Sequence, residues 1–182
     1  MIKRFVVVVA SLAIIACSQE KPAEVPQKLP TVTLSSAERE SLLSFQKSLV
    51  NTEYIADKAV KVAVDEIKNV ISGGQVTIDL PAIVERTKGE CLKAGTELAK
   101  SAIPAKLPPE LQASLRDGRD GLIASYKAYG EAFDAVRSFT TEKNPMLLLE
   151  YRKKYAQAQE LYGSAAQKIK VALSSCGIAT VN

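Results

Sequence analysis

A chain of 182 residues with a formal charge of +4, three cysteines and no histidine is long enough for one hydrophobic core and short of the chemistry most enzymes use. Without histidine there is no Ser-His-Asp or Cys-His nucleophile, no histidine-ligated zinc or di-iron centre and no CxxCH haem attachment, so neither a metal nor a cofactor is expected. Frequent Ala, Leu, Lys and Glu, with Gly and Pro confined to a few places, suit helices better than strands.

Residues 1–16 read as a secretion signal. Lys3 and Arg4 give a positive start, Phe5–Ala16 is an apolar run too short to span a bilayer as a helix, and Ala16 precedes Cys17. The stretch Ile14-Ile15-Ala16-Cys17 resembles the lipobox of bacterial lipoproteins. That resemblance implies cleavage before Cys17, a diacylglyceryl group on its sulfur, an acylated amine and a lipid anchor in a bacterial membrane. Ser18, where aspartate would retain such a protein at the inner membrane in enteric-type bacteria, implies the periplasmic face of the outer membrane. The signal removes Lys3 and Arg4, leaving 22 basic against 20 acidic residues, a charge of +2 that is no footprint for nucleic acid.

Residues 17–34 form a tether. Pro22, Pro26 and Pro30 recur every fourth residue, which forbids a helix and favours an extended chain. At about 3.1 Å per residue it reaches roughly 50 Å from the membrane.

Residues 35–182 form the folded domain, and four helices are expected there. The first starts at Ser35 with Glu38 as its capping-box partner, carries Leu42, Leu49, Ala56, Ala63 and Val70 at seven-residue spacing, and stops at Gly73-Gly74. The second starts at Asp79 as N-cap, with Pro81 in its first turn; Leu80, Val84, Thr87, Cys91, Ala94 and Leu98 share a face, and it ends before Pro104. The third runs from Pro108-Pro109 to Phe139, with Leu111, Leu115, Gly118, Leu122, Tyr126, Tyr129, Phe133 and Val136 as its stripe. The fourth begins at Asn144-Pro145 and ends at Cys176-Gly177; Leu148, Tyr155, Tyr162, Ile169 and Cys176 make one heptad series, and Tyr151, Ala158, Ala165 and Ala172 the other. Short connections imply an all-α, antiparallel four-helix bundle or a close relative.

Within this frame few residues suggest chemistry. Asp117 and Asp120 in Arg116–Gly121 lack the ligand count of a calcium loop, and Gly118 and Gly121 read better as places where helices approach closely. Arg152-Lys153-Lys154 reads as a solvated face. The tyrosines of the fourth helix read as packed core with their hydroxyls reaching the surface, the other reading being an aromatic or lipid ligand site. Met146-Leu147-Leu148-Leu149 is apolar around a whole helical turn, so part of it is surplus to any one core. With Phe139 across the loop, Met146, Leu147 and Leu149 are the candidate partner-binding residues.

With Cys17 assigned to lipid, Cys91 and Cys176 are an even pair in an oxidising compartment, and a disulfide between them is expected. Bridged cysteines need Cα atoms within about 7 Å. In a level bundle Cys176 lies at the foot and Cys91 about 18 Å above it, so the bridge requires a staggered bundle with the second helix slid down or one helix broken. Sliding would leave the tip of the third and fourth helices projecting.

These features read as a membrane-anchored periplasmic lipoprotein without catalytic activity that binds another envelope protein as an assembly factor, adaptor or complex subunit. The alternatives are an immunity protein or inhibitor against a periplasm-acting toxin, and a carrier of a small hydrophobic ligand.

Overall fold

The computed structural model describes residues 29–179, and the signal-like segment, Cys17 and the tether up to Lys28 lie outside them. The described chain is all-helical: α1 (Ser36–Ile71), α2 (Leu80–Lys100), α3 (Pro109–Glu142) and α4 (Met146–Ser175). No helix among the described residues is long and apolar enough to cross a membrane.

Local chemistry sets the helix ends. The Ser35 amide and hydroxyl donate to Glu38 Oε2 at 2.8 and 2.6 Å, and the Glu38 amide returns a bond to Ser35 Oγ, completing the expected capping box. The same bonds hold the Glu38 carboxyl below its ordinary pKa, because they favour its charged form. α1 stops where Gly73 takes a positive φ of 91°, and Gly177 does the same after α4 with φ 64°. Asn144 Oδ1 accepts from the Met146 amide at 3.0 Å and opens α4. Asp79 stands at the expected N-cap position of α2 but does not cap it through its side chain. Its backbone is already helical and its side chain makes no cap hydrogen bond, because the Leu80 amide bonds Thr77 O and a turn at 77–80 leads the chain in.

Consecutive helices pack as antiparallel neighbours, and α3 and α4 are the closest pair. Gly118 and Gly121 allow this. A Cβ on Gly118 would fall 2.5 Å from Ile169 Cγ1, and one on Gly121 would fall 2.9 Å from Ala165 Cβ. α1 and α4, the first and last helices, do not meet backbone to backbone over any length, and side chains fill the seam between them.

The helices are level at one end and staggered at the other. Ser101, just past α2, hydrogen-bonds Ser48 of α1 at 3.0 Å, and Thr87 reaches Ala59 O at 3.2 Å. α2 therefore ends about 18 Å above the start of α1. The space below it is filled by Ile103 and Leu107 from the α2–α3 connection and by Leu29, Val32 and Leu34. The incoming segment is pinned at this foot by the Val32 amide on Ser175 O at 2.9 Å, and α1 is held to the C-terminal turn by Gln46 Nε2 on Ala179 O at 3.1 Å.

This stagger corrects the expected disulfide. Cys91 and Cys176 are both buried free thiols. The Lys88–Asp134 pair at 2.7 Å places Cys91 level with about Gly130 of α3. The packing of Gly118 on Ile169 places Cys176 beside the start of α3. Roughly twenty residues of α3, about 30 Å, separate the two levels, far beyond the reach of a bridge. α2 sits raised rather than lowered, so the tip of α3 and α4 does not project past its neighbours.

Candidate functional site

Two regions stand out: the polar seam between α1 and α4, and the apolar end of the bundle away from Val32.

Five of the six tyrosines line the seam. From Tyr162 the rings run to Tyr126 (6.4 Å between centroids), Tyr129 (6.2 Å), Tyr155 (5.3 Å), Tyr151 (5.5 Å) and Phe133 (6.2 Å), all tilted or edge-on as ring quadrupoles prefer. α1 faces this ladder with Glu53 and Asp57, one turn apart. The fully buried Tyr126 donates its hydroxyl to Asp57 Oδ1 at 2.8 Å. Burial and the neighbouring Asp57 charge push the Glu53 carboxyl up to about 7, and hydrogen bonding to the Tyr162 hydroxyl offsets this only in part. Partial desolvation where it faces the tyrosine ladder raises Asp57 too, against the pull of its Tyr126 bond, although its other side is open to solvent. Neither carboxylate forms an ion pair among the described residues. Tyr126, Tyr129, Tyr151 and Tyr162 are all raised, burial being the largest cause in each, so they remain neutral hydrogen-bonding groups.

Glu53 and Asp57 were missed in the sequence. The available signal was an acid pair at i and i+4 on the border of an apolar stripe, in a chain whose tyrosines all but one fall in its second half.

At the far end, Met146 is 63% exposed and Leu149 53%, while Phe139, Leu147 and Leu148 are half-buried. The apolar turn is thus divided between core and solvent. Ile78, in the α1–α2 connection, is 95% exposed at the same end of the bundle and was not singled out from the sequence.

The remaining candidates are structural. Arg119 holds Asp120 at 2.8 Å and Ser101 O at 3.1 Å, which ties the α2–α3 connection to α3. Lys154 pairs with Glu150 at 2.8 Å, leaving Arg152 and Lys153 exposed. Among the described residues no group of three or more Cys, Asp and Glu is placed to hold a metal ion. Cys17 lies outside the described residues. No protein-family model matches the chain, and no curated protein and no solved structure matches it either.

Proposed function

We propose that this protein is a lipid-anchored, non-catalytic helical module on the periplasmic face of the outer membrane, and that it holds another envelope protein through its distal end. The observation that carries the reading is that Ile78, Met146 and Leu149, three of the most exposed large apolar side chains, all lie at the end opposite Val32, where the N-terminal segment joins the bundle. Large apolar side chains left in solvent at one end of a bundle support the reading of that end as a partner site. A tether at the foot presents such an end to the periplasm rather than to the lipid. Lipidation of Cys17 supplies the anchor, with each buried CH₂ contributing about 0.8 kcal/mol.

Two measurements test the reading. Cys17→Ser is expected to abolish fatty-acid labelling in cells, and label retained on the variant contradicts the anchor. A photo-crosslinking residue placed at Met146 is expected to give a discrete adduct in intact envelopes that one at the foot, at Glu110, does not give. No adduct from Met146 in any growth condition, or the same adduct from both positions, contradicts distal binding.

A further inference from the structure

α1 is the least enclosed helix. Its one extensive neighbour is α2, and it carries five exposed large apolar residues, among them Tyr54, Ile55 and Val62. On the outer side of the α1–α2 pair lie two hollows of about 530 and 180 Å3. Both are lined by Ile55 and Glu90, so they adjoin end to end as one groove interrupted at those two side chains. It follows α1 from Asn51 to Val62, a rise of about 17 Å, or three helical turns. Alanines at its floor, Ala56, Ala59 and Ala94, leave room for a close backbone approach, and Ile55, Val62 and Ile83 form its apolar sides.

The rims carry the chemical bias. Lys58 on α1 and Arg86 and Lys93 on α2 line the groove, and none of the three is in an ion pair among the described residues. Arg86 and Lys93 are seven residues apart, hence on one face of α2, and Glu90 stands between them on that same face. Glu97, next along that face and also lining the groove, is taken up by Lys100 at 2.8 Å, so the unpaired part of the α2 rim reads positive, negative, positive along about 10 Å.

We propose that this groove binds an amphipathic helix from another protein, with acidic residues seven apart on one flank and a basic or neutral residue between them. The apolar face of such a helix fills the groove, its acids meet Arg86 and Lys93, and the residue between them faces Glu90. A second copy of this chain fits poorly. The outward face of α1 is net basic, with Lys47, Lys58 and Lys61, exposed and unpaired among the described residues, against Glu40 and an Asp65 drawn to Lys68 at 3.8 Å, and would set like charges against the rim. The groove is on the flank of the bundle, so this proposal stands apart from the distal-end reading.

The test uses the mature chain carrying Cys17→Ser and a displayed library of amphipathic helices with a constant apolar face and randomised flanks. Selection is expected to enrich acidic residues seven apart around a non-acidic one. The Arg86→Glu, Lys93→Glu, Glu90→Lys variant is expected to invert that pattern, with roughly tenfold preference for the reversed charges. Ile55→Glu, at a side chain already half in solvent, is expected to abolish enrichment without lowering the melting temperature. No enrichment, enrichment blind to flank charge, or a self-association removed by Ile55→Glu overturns the proposal; the last assigns the groove to a second copy.

Discussion

The Tyr126 hydroxyl of α3 donates to the Asp57 carboxylate of α1 at 2.8 Å, joining the first helix to the second half of the bundle across a seam with little backbone contact. Tyr126 is fully buried, and its hydroxyl needs an acceptor there. Tyr126→Phe is expected to cost about 1 kcal/mol, because Asp57 is open enough to regain water when the bond is lost. Tyr126→Ala removes a ring from the centre of the ladder and is expected to cost about 3–5 kcal/mol. Urea unfolding of the two variants checks the difference.

The seam makes stability pH-dependent in a stated direction. Glu53 is raised from 4.5 to about 7 in the folded chain, so between these values the unfolded chain gives up its proton while the folded one keeps it. Stability is therefore highest below about pH 4.5 with respect to this group, falls as pH rises toward 7, and is level above. Asp57, also raised, acts in the same direction. The expected loss from Glu53 is roughly 1–3 kcal/mol. Glu53→Gln is expected to raise stability at pH 8 and flatten the profile between pH 5 and 8. An unchanged profile in the variant contradicts the role of Glu53.

Two helical glycines should respond oppositely to alanine. At Gly118 the new Cβ meets Ile169 Cγ1 at 2.5 Å and Ala165 O at 3.2 Å, so Gly118→Ala is expected to destabilise by about 1–3 kcal/mol. At Gly163, on the solvent side of α4, a Cβ meets nothing within 4 Å, and Gly163→Ala is expected to stabilise by about 0.5–1 kcal/mol. Thermal melts of both variants read the contrast.

Both domain cysteines should be free. Denatured, unreduced mature protein is expected to show Cys91 and Cys176 as reactive thiols. In the folded chain Cys91 should resist alkylation, since burial and the nearby Asp57 charge push its thiol up to about 12. A mass of the denatured protein lower by two hydrogens contradicts this.

Much of the fold was legible because helix periodicity is local. The stripe from Leu42 through Ile67, the Ser35–Glu38 box and the close approach at Gly118 and Gly121 each follow from spacing within one helix. What spacing cannot carry is the axial offset between helices. The height of α2 is fixed by Ser48 on Ser101 and Lys88 on Asp134, contacts between residues 53 and 46 positions apart. The expected Cys91–Cys176 bridge failed on that offset. Glu53 and Asp57 were overlooked for a related reason: a carboxylate at the edge of an apolar stripe reads as solvated until the tyrosines it faces are known.

The most direct test of distal binding separates it from folding. A photo-crosslinking residue at Ile78 reports on the bundle end, while Met146→Glu and Leu149→Glu together change only side chains already more than half exposed. The pair is expected to leave the melting temperature within about 4 °C of the parent, since exposed substitutions rarely exceed 0.5 kcal/mol each, and to abolish the Ile78 adduct in intact envelopes. An adduct of undiminished yield from the doubly substituted, folded protein would show that the distal apolar end is not where the partner is held.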